Sequence, residues 1–297
     1  MNHGVSCFML RTSQFVCTIR QMVEFINRLR YGEKRMKVVI LCGGQGTRLR
    51  EETEYRPKPL VMVGNHPILW HIMKLYSHYG YNDFILCLGY KGEMIKNYFL
   101  NYDELAHDFT LRLGSGKKEV HHHANSTPNW NITFAETGLL CETGSRIARI
   151  QKYIGNDEEF LLTYGDAVAD VDIGALYRYH RSKGKIVTVT GVQPPSPFGV
   201  MAANDGMVRA FTEKPQSEDW ANGGFFVCNK KAFEYLSPDG STIFEQDPLK
   251  RLASAGELAM YHHRKFWHCV DTFKHLEGLN AYYNKGQRHW MVWEKGL

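Results

Sequence analysis

The sequence of 297 residues has no apolar run approaching the roughly 18 residues that a membrane-spanning helix needs. Cysteine is sparse. The seven, at positions 7, 17, 42, 87, 141, 228 and 269, are odd in number and widely spaced with no C-x-x-C pair, which excludes a disulfide framework and a zinc ribbon. Collagen-like repeats, low-complexity tracts and long linkers are absent too. Charge of one sign is lacking over most of the chain. The net +5 comes from 36 basic and 31 acidic residues, but residues 1–35 alone carry Arg11, Arg20, Arg28, Arg30, Lys34 and Arg35 against Glu24 and Glu33. The rest is close to neutral, so there is no groove-sized basic patch for nucleic acid. The expectation is a soluble, cytoplasmic protein without nucleic-acid or membrane partners.

With 43% hydrophobic and 23% charged residues, the composition is that of a globular protein large enough to hold a core without staples. The first 35 residues read as an N-terminal extension of unknown role. Phe15–Ile19 is too short for a signal-peptide core and is closed by Arg20, although the lack of acids before Glu24 leaves a transit peptide open. Met36 is the expected start of the domain, which runs to residue 297.

From Met36 the pattern alternates between strand and helix. Lys37–Cys42 is a nearly continuous apolar run ending at Gly43-Gly44, as expected for a strand buried on both faces. Helical spacing covers 67–79 and 93–100, and buried-strand patterns recur at 84–88 and 160–164. Asp172 caps a helix to His180, a strand follows at 185–192, and Asp170 reads as a turn residue. Beyond about residue 195, short strands at 206–212, 223–228 and 258–261 mix with helices at 243–255 and 273–284. The fold class is therefore α/β: a Rossmann-like, mixed but mostly parallel sheet with helices on both faces. Ligands bind beyond the carboxyl ends of strands in such sheets, which selects the Gly43 loop and Asp166.

Leu41-Cys42-Gly43-Gly44-Gln45-Gly46-Thr47-Arg48-Leu49 follows a strand directly. Three glycines in four positions let amides converge into an anion nest, and Arg48 adds a planar donor for phosphate oxygens. The spacing is neither that of a P-loop nor, with Leu49 at the third glycine position, a full dinucleotide fingerprint. Ten residues past the loop, Pro57 and Pro59 stiffen the backbone around Lys58 and make it a candidate fixed positive charge.

The G-G-x-G-T-R-L and P-K-P-L motifs resemble the signature of the sugar nucleotidyltransferases. The resemblance runs from about Met36 to the end. It narrows through Pro67–Met73, Leu88–Gly92, Thr163–Asp166, Glu213–Pro215 and Asn222–Phe226 to the branch that transfers cytidylyl groups to glucose 1-phosphate. It implies a glycosyltransferase-A-like fold, CTP and α-D-glucose 1-phosphate as substrates, CDP-glucose and pyrophosphate as products, Mg²⁺ as cofactor, and a homo-oligomer. The product would enter deoxysugar and surface-polysaccharide (O-antigen) synthesis. Another nucleotide (UTP or dTTP), or a non-catalytic nucleotide-sugar-binding regulatory subunit, are the alternatives.

The same resemblance implies residue roles. Leu41 to Gln45 and Gly46-Thr47-Arg48 hold the nucleotide, with Thr143, Arg146 and Gly165; Lys58 neutralises the α-phosphate; Asp166 and Asp271 hold the metal. Lys58, Arg48 and Asp166 make up the catalytic set. Lys214, Glu213, Asn222 and Gly223 bind the sugar phosphate, dividing the domain into a nucleotide half, 36–193, and a sugar half, 194–297. Three positions depart from the branch pattern: Ala167 stands for a glycine, Cys269-Val270 precedes Asp271, and Cys141 replaces a polar residue five before Arg146. His121-His122-His123 is not read as a metal site, since consecutive strand residues face opposite ways, and His262-His263 is read likewise. Trp220 is expected in the core or beside the sugar.

Overall fold

All four residues of β1 (Val38–Leu41) are buried. Val38 and Ile40 pack into one apolar cluster, Val39 and Leu41 into another, because alternate side chains of a strand leave on opposite faces. A continuous apolar run thus builds two cores, one on each side of a sheet. The protein is described here by a computed structural model that covers residues 36–121, 128–196 and 198–294; the arm 1–35, His122 and His123 lie outside it.

The strands that follow are β2 (Met62–Val63) and β3 (His66–Pro67), then β4 (Asp83–Leu88), the ribbon β5 (Asp108–Arg112) with β6 (Lys117–His121), and β7 (Asn131–Glu136). After them come β8 (Glu159–Tyr164), β9 (Ala167–Ala169), β10 (Val187–Val192), and the ribbon β11 (Val200–Asn204) with β12 (Met207–Thr212). The last are β13 (Ala221–Asn229), β14 (Leu258–His262) and β15 (Trp267–Cys269). Seven form the central sheet in the order β14-β10-β13-β8-β1-β4-β7. β13 runs antiparallel to both neighbours and the other pairings are parallel, so the sheet is mixed but mostly parallel, as expected.

The chain moves from β1 outward to β4 and β7, then returns to lay β8 on the other side of β1. The strand order reverses between β1 and β8, and the crevice beyond their carboxyl ends is where such sheets take ligands. Helices Ile68–His78, Ile173–Lys183 and Phe273–Asn284 supply the Val38 cluster, while Thr143–Arg149 and Asp247–Ser254 cover the Val39 side.

Several local expectations are met. Pro67 precedes the first turn of its helix, and the Asp172 carboxylate accepts the Ala175 amide at 2.8 Å. The helix expected from residue 243 begins only at Asp247, because the amides of Thr242 and Phe244 are taken by the hydroxyls of Ser145 and Thr143. β9 and β15 are three residues each, too short to leave a periodic trace, yet their pairing positions the site.

Phe226, fully buried in β13, has Phe244 and Tyr164 ring centroids at 5.5 and 5.8 Å. Phe226→Ala is expected to cost about 3–5 kcal/mol and to lower the thermal midpoint by several degrees, as read by calorimetry.

Candidate active site

β1 ends at Leu41, and the loop after it is tied down on both sides. The Cys42 amide donates to Cys87 O at 3.0 Å, and Gly165 and Tyr90 donate to Leu41 O and Gly43 O, each at 3.1 Å. By contrast, the amides of Gly44, Gln45 and Gly46 donate to no other backbone carbonyl among the described residues, which leaves them for an anion. Gly46 has a φ of 62°, and a Cβ there would lie 2.8 Å from Thr53 Cγ2. Thr47 and Arg48 are exposed on the short turn that follows.

Pro57 is extended (φ −66°, ψ 147°) and Pro59 is buried, so Lys58 leaves a stiff turn. The Lys58 side chain is only 13% exposed, and its ammonium donates to Asp166 Oδ2 at 2.8 Å and to Asp271 Oδ1 at 2.7 Å. Arg48 reaches the other oxygen of Asp271 at 3.1 Å. Residues far apart in sequence meet here because β9 pairs with β15, setting Ala167 opposite Cys269 and letting the Val270 amide donate to Asp166 O at 2.9 Å. Arg48, Lys58, Asp166 and Asp271 therefore form one cluster at the end of β1 and β8.

The electrostatics follow from this geometry. Burial pulls the Lys58 ammonium down, but the charge of Asp166 and hydrogen bonds to both carboxylates outweigh it, so the pKa is raised above 10.5. Burial pushes the Asp271 carboxyl up, but Lys58 and then Arg48 outweigh that and hold it below 3.8. The Cys269 sulfur lies within 4.8 Å of oxygens of both carboxylates. Burial and those two charges push its thiol far above its ordinary value, so it stays protonated beside them. Ala167, where the branch pattern has glycine, sits in extended β9, and an alanine fits that backbone without strain.

Arg146 is 4% exposed. Its guanidinium donates to Leu88 O, Thr137 Oγ1, Gly138 O, Gly43 O and Leu139 O at 2.7 to 3.3 Å. A Cβ on Gly43 or Gly89 would fall 2.2 or 2.5 Å from its Nη1, so those glycines make room for it. In this structure Arg146 clamps the loops around the nest. Cys141 is buried in the segment that Arg146 holds.

The remaining expected residues divide. Asn222 stands near the end of β8: its Nδ2 donates to Tyr164 Oη at 3.1 Å and its Oδ1 accepts the Gly224 amide at 2.9 Å. Gly223 O accepts the Trp267 indole at 2.8 Å, and a Cβ on Gly223 would meet Val192 Cγ1 at 2.7 Å. Lys214, with φ 48°, pairs with Glu213 at 3.4 Å on the exposed turn after β12; among the described residues no ion pair joins either to the Lys58 cluster. Thr143 Oγ1 donates to Glu245 at 2.7 Å.

Tyr164 and Glu245, which join Thr143 to Asn222, were not singled out from sequence, since one looks like a strand end and the other like a helix-start acid. Buried His263 hydrogen-bonds Phe266 O at 3.0 Å with Asp170 Oδ1 3.3 Å from the same ring nitrogen, whereas its neighbour His262 packs against Trp220, so the two histidines diverge as strand alternation requires. Trp220 is only half-buried and packs on His262 and Arg264, outside the core.

The nucleotidyl transferase family model matches residues 37–286. A probable glucose-1-phosphate cytidylyltransferase of Bacillus subtilis is 50% identical over 258 residues, covering 87% of this chain and all of that protein. A glucose-1-phosphate cytidylyltransferase of Salmonella typhimurium is 46% identical over 260 residues, again 87% of this chain and all of the relative. Among solved structures, HddC from Yersinia pseudotuberculosis superposes with a TM-score of 0.62 at 21% identity, covering 84% of this chain and 99% of that one. A putative glucose-1-phosphate thymidylyltransferase from Bacillus anthracis gives 0.60 at 20% identity, covering 83% and 94%; these two likenesses establish the fold.

The Lys58 bridge sets a pH signature. Asp271 has a folded pKa below its ordinary 3.8, so it adds stability that is complete above that value and lost as pH falls through the folded value. Lys58→Met leaves two facing carboxylates that repel each other with no cation between them. Thermal midpoints measured from pH 3 to pH 8 should then fall relative to wild type at neutral pH, with the gap narrowing as the pH drops. Parallel wild-type and variant curves would remove the bridge.

Proposed function

The chain belongs to the nucleotidyl transferase family, and from that premise we propose that it is a glucose-1-phosphate cytidylyltransferase, converting CTP and α-D-glucose 1-phosphate into CDP-glucose and pyrophosphate. The observation that carries this reading is the Lys58 ammonium between Asp166 and Asp271 beside a loop of unpaired amides.

The reaction is a displacement at phosphorus. A phosphate oxygen of the sugar 1-phosphate forms a bond to the α-phosphorus as the bond from that phosphorus to the bridging oxygen of the leaving pyrophosphate breaks. No group needs strong deprotonation, so the demand is for alignment and positive charge. The amides of Gly44, Gln45 and Gly46, with Thr47 and Arg48, bind phosphate oxygens of the nucleotide, and Leu41, Cys42, Gly43, Gly165 and Thr143 shape its seat. Lys58 sets its charge against the α-phosphoryl group, where negative charge builds. Lys214, Glu213, Asn222 and Gly223 hold the sugar phosphate, which makes 36–193 the nucleotide half and 194–297 the sugar half.

Asp166 and Asp271 offer hard oxygen donors that already converge on one cation, the donor set that Mg²⁺ takes, whereas the protonated Cys269 thiol is a poor ligand for it. Mg²⁺ held by those carboxylates in place of the Lys58 ammonium, which would then be free for the α-phosphoryl group, would neutralise charge on the phosphoryl oxygens. A cytoplasmic setting suits the five described cysteines, which are all unpaired. Self-association into a homo-oligomer has a surface to draw on in the ribbon β11–β12, where Met201, Met207 and Phe211 are more than 60% exposed. Supply of CDP-glucose to deoxysugar and O-antigen synthesis follows from the same reading.

The test is pyrophosphate release with each of CTP, UTP, dTTP and GTP, with and without glucose 1-phosphate and Mg²⁺. CTP should lead by at least tenfold; preference for UTP or dTTP would change the base assignment, and no release with any nucleotide would leave the regulatory-subunit reading. Lys58→Ala should lower kcat by about a hundredfold or more with a small change in sugar-phosphate KM, and Asp166→Asn should abolish turnover while circular dichroism stays native. Removing residues 1–35 should leave kcat/KM for CTP unchanged.

A further inference from the structure

Four side chains from four segments form one hydrogen-bonded line across the mouth of the crevice. Thr143, at the start of its helix, donates to Glu245 Oε2 at 2.7 Å. The other oxygen of Glu245 accepts the Tyr164 hydroxyl. That hydroxyl in turn accepts from Asn222 Nδ2 at 3.1 Å, on β13. Backbone amides fix both ends: Phe244 N donates to Thr143 Oγ1 at 2.9 Å and Gly224 N to Asn222 Oδ1 at 2.9 Å.

The donor inventory gives this line a direction. A neutral phenol has one proton, and Tyr164 spends it on Glu245; its oxygen can then receive only a donor, which forces the Asn222 amide to present its nitrogen. The ring is held as well. Phe226 meets it edge-on at 5.8 Å, and Gly224, at φ 82°, comes so close that a Cβ would lie 2.6 Å from Tyr164 Cδ2. With Oδ1 on Gly224 and one N–H on Tyr164, the exposed Asn222 amide keeps one N–H, aimed by its two anchors. Tyr164 is also two residues before Asp166, so the piece of chain that sets this amide sets the carboxylate bridged by Lys58.

We infer that Tyr164 and Glu245 are positioning residues for the sugar 1-phosphate: they lock the Asn222 amide so that its free N–H meets the sugar, and they tie that amide to the helix carrying Thr143. This rests on the reading of Asn222 as a sugar-binding residue. Neither Tyr164 nor Glu245 touches the reacting atoms in this role.

Tyr164→Phe removes the hydroxyl and keeps the ring. The KM for the sugar 1-phosphate should rise about five- to tenfold, the worth of the one neutral hydrogen bond that Asn222 loses, with the CTP KM within twofold of wild type. Because Tyr164 acts through Asn222, Tyr164→Phe should add almost nothing in an Asn222→Ala background, a coupling that a merely structural tyrosine would not produce. Glu245→Gln, whose carbonyl can still accept the phenol, should recover most of the KM lost in Glu245→Ala. An unchanged sugar-phosphate KM in Tyr164→Phe, an equal rise in both KM values, or independent effects in the double variant would each overturn the inference. The varied substrate is whichever sugar 1-phosphate the wild type turns over. Inactivity with glucose 1-phosphate would then count against the proposed function, and independence of the two substitutions against the positioning role.

Discussion

Two carboxylates of like sign stand at the ends of neighbouring strands, and the site depends on the cation between them. Without a positive charge, bringing Asp166 and Asp271 together out of bulk water would drive a proton onto one of them. Lys58 prevents that, with its ammonium within 2.8 Å of an oxygen from each. Its stem is mostly buried between prolines, so little side-chain entropy remains to be lost in holding this geometry. An exposed lysine in the same place would be worth far less, since surface pairs are screened and mobile. Arg48, with a side chain 77% exposed, is such a weaker partner for Asp271.

The fold supplies what this interaction needs by two devices of different scale. The strand order, reversing between β1 and β8, opens a crevice where the Gly43 loop and Asp166 emerge side by side. The small ladder of β9 on β15 then brings Asp271 from near the end of the chain into contact. A third device acts at atomic scale. Arg146 gathers carbonyls from three loops, and Gly43 and Gly89 leave space for its guanidinium. Burial lowers its pKa somewhat, yet five acceptors compensate the desolvated charge, so the loops it binds are held by charge-assisted bonds.

Much of this was legible in the chain. The continuous apolar runs gave β1, β4 and β8 because a strand buried on both faces leaves no alternation to confuse with a surface helix. The glycine loop and P-K-P segment were legible because they constrain backbone conformation locally. What sequence could not reveal was partnership. Nothing in the spacing of Asp166 and Asp271 says that a three-residue ladder joins them. Arg146 looked like a nucleotide contact, and only the fold reveals that its donors are taken up by Leu88, Thr137, Gly138, Leu139 and Gly43. Glu245 resembled an ordinary acid before a helix, because its partners Thr143 and Tyr164 lie 102 and 81 residues away in sequence.

The positions that depart from the branch pattern show how the frame tolerates change. Alanine at 167 is accepted because β9 is extended there, so the glycine of the branch pattern answers no backbone demand in this chain. Cysteine at 269 is accepted for another reason. Its thiol lies against two carboxylates, where a third anion would be costly, and burial together with those charges keeps it neutral. The same field that favours a cation between Asp166 and Asp271 therefore silences the one side chain that could have added negative charge. The electrostatic design survives the substitution because it selects against ionisation at that spot, whatever small side chain fills it.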